Sequence, residues 1–347
     1  MLRTSSLQRL FSRSLSSRQL FVEKRGAPEK VVQLRTVELP NKLESEQVLV
    51  EWNASVVNPA DLNQIQGVYR HLPKLPHLLG IEGVGTVAKI GKSVKTLNVG
   101  DRVMIDFTDL TGTWAEHGLF QQKELISVDR DLPIEDAAFL KINPTSAYIM
   151  LKEYAALKPG DWVLQNCGNS ALGRLVIQLS RIMGFKTISI VRNRPNIDEL
   201  VKELKDLGAD EVIVDEDLFD RKKKVKLPKV KLALNGVGGK SSLYLAGALG
   251  PKGRMVTYGG MSREAVQAPT APLIFENIQL HGFWLSSWSR EQNDRRVLLK
   301  MLRELTGWMK SGEIKRQAYE TKGIDEYEKA MVDAQKFDKK QVFLMKN

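Results

Sequence analysis

Between residues 158 and 194 the apolar positions change period twice, and the changes mark out a strand, a helix and a second strand. Trp162–Gln165 is a short apolar run that suits a buried strand, followed by a turn of small and polar residues, 166–170. Leu172, Leu175, Val176, Leu179, Ile182 and Met183 then recur along one helical face, Gly184 stops the helix, and 187–191 is β-branched. Beyond this unit the alternation continues. Helices are expected at 198–207 and 241–249, and strands at Glu211–Val214, Val230–Asn235, 254–258 and 278–283. Strands alternating with helices predict a parallel sheet covered on both faces.

The N-terminal half has a different rhythm. Residues 47–54 alternate through Val48, Val50 and Trp52, and glycine-punctuated turns at 79–87 and 99–103 lead into further short strands. That spacing predicts a compact barrel-like β domain. Helical patterns appear at 133–138, 144–154 and 294–309, and the mixed tail is expected to pack back on the N-terminal domain.

The turn at 166–173 is the place where a pyrophosphate would meet free backbone N–H groups at a helix start. Only Gly168 and Gly173 of a G-x-G-x-x-G pattern are present, with Asn169, Ser170 and Ala171 between them. An acidic residue after the second strand would select NAD. Here Arg192, Asn193 and Arg194 occupy that place, and no carboxylate follows until Asp198, which favours a 2′-phosphate and hence NADP.

Composition narrows the reading. A chain of 347 residues with 42% hydrophobic content is long enough for two domains, and no apolar run is long enough to span a membrane. Residues 1–22 hold Arg3, Arg9, Arg13 and Arg18, six serines and no acid, as a mitochondrial presequence does. Removing that segment lowers the net charge from +11 to +7. The remaining charge is mixed, apart from RKKKVK at 221–226, which reads as a solvated loop or as a docking point for an acidic carrier or for CoA phosphates. Dispersed charge without stacking aromatics argues against nucleic acid. Cys167 is the only cysteine and the four histidines lack ligand spacing, so an internal disulfide is impossible and no metal is expected.

The segments QGVY, INPTSAY, QNCGNSALG, VRNRP, LNGVGGKSS, TYGGM and GFWLSSW, in that order, resemble the medium-chain dehydrogenase/reductase superfamily, and within it the mitochondrial trans-2-enoyl-thioester reductases. The resemblance covers nearly the whole chain after residue 22. It implies an α/β protein with a GroES-like, partly open β-barrel catalytic domain (23–147 and 288–347) and a doubly wound Rossmann domain with a parallel sheet (148–287). Zinc-dependent members of the superfamily carry a metal histidine in a GHE turn and a metal cysteine near the position of Asn58 and Pro59. This sequence has Gly80, Ile81 and Glu82 in that turn and neither ligand.

The implied activity is NADPH-dependent reduction of trans-2-enoyl thioesters to saturated acyl thioesters in the mitochondrial matrix, on acyl-carrier protein or coenzyme A, by a homodimer. Hydride addition at Cβ places charge on the thioester oxygen, and an acid must then protonate Cα. The resemblance puts the donor at Tyr69, and a phenol, with a pKa of about 10, is neutral at pH 7. It puts Asn143 and Lys340 at the nucleotide, and Asn169, Ser170, Ala171 and Leu172 at the pyrophosphate. Arg192, Asn193 and Arg194 fall at the 2′-phosphate, and Tyr258, Gly259, Gly260 and Met261 with Phe283, Trp284 and Leu285 at the nicotinamide half. Phe283, Trp284 and Trp288 equally suit a core or a dimer interface. The nearest alternative is a zinc-free NADPH quinone reductase, which needs no acid at Tyr69.

Overall fold

The computed structural model describes residues 15–108, 111–220, 222–223, 225–292, 294–336 and 339–345. The chain forms two compact units. Of the described residues, one takes those from 15 to 106, 111–130 and those from 319, and the other takes those between 131 and 318 with 107–108.

Strands are numbered along the chain. The first unit opens with β1 (Ser16–Val22), β2 (Val32–Glu38), β3 (Gln47–Val56) and β4 (His77–Leu78). It continues with β5 (Gly83–Ile90), β6 (Arg102–Ile105), β7 (His117–Gln121) and β8 (Leu125–Ser127). The second unit holds β9 (Trp162–Gln165), β10 (Lys186–Val191), β11 (Glu211–Val214), β12 (Val230–Asn235), β13 (Leu249–Thr257) and β14 (Gln279–Gly282). The chain ends with β15 (Tyr319–Gly323) and β16 (Lys340–Leu344) in the first unit.

In the first unit β2, β1 and β4 form one antiparallel sheet. A second sheet runs β15-β16-β3-β5-β6-β8, with β7 also paired to β3. Its two end strands do not pair with each other, so the barrel is partly open, as expected. The tail returns as expected, β16 pairing antiparallel with β3. Phe343 of β16 meets Trp114 edge-on at 5.3 Å, and Trp52 meets Phe120 at 5.6 Å, at the centre of the apolar core.

The first strand lies inside the segment 1–22 that was expected to be presequence. Residues 16–22 pair along their whole length with β2, and Leu20 and Val22 are fully buried. Removing them would take two fully buried side chains out of the core, each worth about 1.5–3 kcal/mol of burial. Arg18, read as a presequence arginine, forms ion pairs with Glu116 and Asp325 at 2.7 Å each. Residues 1–14, with Arg3, Arg9 and Arg13, lie outside the described residues.

The second unit is a six-stranded, wholly parallel sheet in the order β11-β10-β9-β12-β13-β14, the doubly wound arrangement. Its unit boundaries lie outside the expected 148–287. The reason is packing: helix Asn143–Glu153 lies against helix Ala171–Met183, and helix Arg295–Lys310 lies against Asn143–Glu153. Tyr148 joins that last pair, its hydroxyl donating to Glu304 at 2.7 Å. Ile177 and Gln178 are buried beyond the apolar face read from sequence, Ile177 among Val191, Leu200, Leu204 and Ala209, and Gln178 accepting from Lys315 N at 2.6 Å. Gly184 ends helix Ala171–Met183 at φ 78°, a left-handed cap that glycine adopts without strain. The helix expected at 241–249 runs Gly239–Gly247, and β13 begins at Leu249 rather than at 254.

Candidate functional site

In a doubly wound sheet the ligand crevice lies at the carboxyl ends of the strands. The turn after β9 is tightly built. A Cβ on Gly173 would lie 2.4 Å from the Cys167 carbonyl oxygen, and one on Gly168 would lie 2.7 Å from Ser189 Cβ. The two surviving glycines are therefore the positions where the turn folds onto its own helix and onto β10. Cys167 takes a positive φ of 53° at the tip. Ser170 caps the helix, its Oγ accepting from Gly173 N at 3.0 Å. The amides of Ala171 and Leu172 head the first turn, where an anion is received.

A polar network that the sequence did not reveal ties the strand ends together. The buried Asn166 donates to Asn235 Oδ1 at 2.8 Å and to Ser241 Oγ at 3.0 Å, and accepts from Gly236 N at 2.7 Å. Asn235 in turn donates to Thr257 Oγ1 at 3.1 Å. The loops after β12 and β13 are joined by Tyr258 N on Asn235 O at 3.0 Å and Met261 N on Gly236 O at 3.0 Å. Asparagines at strand ends are ordinary turn residues in a sequence, so only the fold shows that two of them meet.

The structure gathers several expected nucleotide residues here. Tyr258 lies over Gly236, where any Cβ would meet its hydroxyl at 2.7 Å. Burial, then the neighbouring Cys167, holds its phenol above the ordinary pKa. Gly259 packs on Gly236, Gly260 faces open space, and the Met261 side chain is exposed. At the end of β10, Arg192 is exposed, and Arg194 has a buried Nε with no hydrogen-bond partner among the described residues. Asn193 donates across to Glu216, beyond β11, at 3.0 Å and accepts from Arg194 N in its own turn at 2.9 Å. Asn143 opens the helix packed on Ala171–Met183, and its buried Nδ2 likewise has no partner among the described residues. The orphaned guanidinium and amide nitrogens, with the glycine-tight turn, fit a phosphorylated dinucleotide.

Phe283, Trp284 and Leu285 follow β14. Phe283 is buried edge-on against Tyr154 at 6.1 Å, Trp284 lies under the Arg290 guanidinium at 4.5 Å, and Leu285 starts helix Leu285–Glu291. Trp288 is buried and donates to Glu153 at 2.7 Å. All of these contacts are packing within the second unit.

In the first unit, Tyr69 follows helix Pro59–Gln66. Gly67 leaves that helix at φ 81°, and the amides of Val68 and Tyr69 both donate to Asn63 O, at 3.0 and 3.2 Å. The helix start rests on a buried polar cluster absent from the sequence reading. Asn58 N donates to Asp61 at 2.8 Å, Ile81 N donates to Asp61 at 3.2 Å, and the Asn58 amide donates to Glu82 at 2.8 Å. Burial raises the Asp61 carboxyl to about 7. Lys340, expected at the nucleotide, has its ammonium on Asn58 Oδ1 at 2.6 Å. Burial lowers its pKa while Glu82 and Asp61 oppose the shift. Among the described residues no three His, Cys, Asp or Glu side chains form a group fit for a metal ion.

Residues 44–130 match the alcohol dehydrogenase GroES-like domain, and residues 171–304 match the zinc-binding dehydrogenase family. The mitochondrial enoyl-[acyl-carrier-protein] reductase of Caenorhabditis elegans is 51% identical over 346 residues, covering 99% of this chain and 100% of the relative. A solved Etr1p complex with NADP and crotonyl-CoA superposes with a TM-score of 0.87 at 31% identity, covering 95% of this chain and all of that one. The mitochondrial 2-enoyl thioester reductase Etr1p/Etr2p heterodimer from Candida tropicalis gives the same TM-score at 30% identity, with 95% and 100% coverage. Such identity along the whole length leaves no part of the fold unaccounted for: the chain belongs to the mitochondrial enoyl-[acyl-carrier-protein] reductase family.

Proposed function

We propose that this chain reduces trans-2-enoyl thioesters to saturated acyl thioesters with NADPH, in mitochondria. The observation that carries the reading is its full-length identity with an enoyl-[acyl-carrier-protein] reductase. When bound, NADPH supplies a hydride to the β-carbon. The amides of Ala171 and Leu172 hold the pyrophosphate at the helix start, and Arg192 and Arg194 hold the 2′-phosphate. Asn143, whose buried amide nitrogen has no partner among the described residues, would offer it to the cofactor, and Tyr258 to Met261 would border the nicotinamide half. Tyr69 gives its phenolic proton to the α-carbon and is reprotonated from solvent.

The acyl group arrives on coenzyme A or on an acyl-carrier protein. Within the basic run, Lys223 is already paired with Asp217 at 2.5 Å. A homodimer suits the second unit, whose edge strand β14 exposes Leu280, with Ile274 and Phe275 exposed nearby in sequence.

The test follows nicotinamide oxidation by the purified chain with crotonyl-CoA, an enoyl-carrier-protein thioester and a quinone. NADPH is expected to exceed NADH in kcat/KM by about 10–150-fold, the worth of a charge-assisted hydrogen bond. Arg192→Ala with Arg194→Ala should close most of that gap. Tyr69→Phe should slow enoyl reduction by about 100-fold or more. Quinone reduction without enoyl reduction would replace this reading with the quinone reductase.

A further inference from the structure

Arg25 lies just past β1, in no segment that the sequence marked out. Its guanidinium donates from Nη1 to Gln64 O at 2.9 Å and from Nη2 to the Pro73 carbonyl. Gln64 belongs to the last turn of helix Pro59–Gln66, and Pro73 lies beyond Tyr69. One side chain therefore ties together the two ends of the loop that bears the tyrosine. The surrounding backbone reinforces it. Gly26 N donates to Ile65 O at 3.0 Å, and Gly67 N donates to Gln64 O at 3.2 Å. A Cβ on Gly67 would lie 3.2 Å from Arg25 Cβ and 3.3 Å from its Cγ, so the arginine stem packs closely on this turn, whose left-handed φ of 81° itself favours glycine.

The chemistry of the contact is selective. Both acceptors are main-chain carbonyls, and a planar guanidinium fork can hold two of them at a fixed separation, whereas an ammonium acts as a point charge.

We propose that Arg25 is a positioning residue for Tyr69, holding the 64–73 loop so that the phenol stays aligned for proton transfer. This inference rests on the reading of Tyr69 as the proton donor. Misplacing a reacting group by about 1 Å costs on the order of 100-fold in rate.

The experiment is a mutant cycle on the full chain, assayed with NADPH and crotonyl-CoA, using Arg25→Ala, Arg25→Lys, Tyr69→Phe and the Arg25→Ala/Tyr69→Phe double variant. Arg25→Ala should lower kcat by about 10–100-fold while the KM for NADPH changes less than about twofold. Arg25→Lys should fall between, and millimolar guanidinium ion should restore part of the lost rate of Arg25→Ala. In the Tyr69→Phe background the same alanine change should cost less than about threefold, because the group it positions is gone. Equal fold-losses in both backgrounds would overturn the proposal, leaving Arg25 a stabilising residue. If Arg25→Ala does not fold, Arg25→Lys carries the same comparison. Near-normal turnover by Tyr69→Phe alone removes the tyrosine reading and this inference with it, a result distinct from a slow Tyr69→Phe with additive arginine losses.

Discussion

Lys340 and Asn58 are 282 positions apart in sequence and 2.6 Å apart in the fold, the ammonium donating to the amide oxygen. The same amide donates to Glu82 at 2.8 Å, so one neutral side chain relays between a buried carboxylate and a cation. Lys340→Met would leave Asp61 and Glu82 without their positive neighbour, and truncating one member of a buried ionic cluster costs about 3–5 kcal/mol. Urea unfolding of the two proteins at neutral pH measures it. A loss under about 0.5 kcal/mol would class the contact with surface pairs.

His77, on β4, is buried, and its Nε2 has no hydrogen-bond partner among the described residues. Burial, with the charge of Arg25 adding to it, moves its pKa from 6.5 down to about 4. As pH falls, the unfolded chain takes up the proton near 6.5 and the folded chain only near 4. The stability tied to this histidine is thus complete above 6.5 and is lost between those values. From about pH 7 to about pH 5 the loss is about 2 kcal/mol. His77→Leu should lose that much less stability over the same interval, read from urea midpoints at both ends. Parallel curves for the two proteins would show that the histidine does not titrate in this way.

Gly173 sits where a methyl group would meet the Cys167 and Gly168 carbonyl oxygens at 2.4 and 2.7 Å. Gly173→Ala must push the turn away from its helix, at a cost of about 1–3 kcal/mol for an overpacked site. The KM for NADPH should rise by about 10-fold or more, since the displaced amides are those at the pyrophosphate. Gly307→Ala is the control. That glycine is inside helix Arg295–Lys310 with nothing within 4 Å of its Cβ position, and alanine there should add about 0.5–1 kcal/mol. Equal NADPH affinities in Gly173→Ala and the parent would detach the turn from cofactor binding.

The second unit was legible because its signals are local. Trp162–Gln165, Glu211–Val214 and Val230–Asn235 carry apolar runs bounded by turn residues, and each is a strand with those ends. Helix Ala171–Met183 carries its own cap and stop. The first strand was hidden by composition. Arginine and serine in 1–22 resemble a presequence, whereas pairing with β2 gives Leu20 and Val22 a core to enter. In the candidate site the tight turn was legible, since Gly168 and Gly173 stand where its backbone folds onto helix and strand. The site was illegible at Asn166 with Asn235, at Asn58 with Glu82 and Lys340, and at Arg25 with Gln64 and Pro73. Each of those sets joins residues from distant parts of the chain, and periodicity carries no record of such meetings.

The first unit is discontinuous, since β16 pairs with β3 across an intervening body of residues 131–318. A chain emerging from the ribosome or threading through a translocation pore therefore exposes the Gln47–Val56 edge long before its partner exists. The intervening unit, continuous in sequence, can mature first, while the earlier segment waits for the last strand to close its core. The order of synthesis and the order of completion are opposite, and the unfinished N-terminal sheet is the stage at which this protein is most open to misassociation.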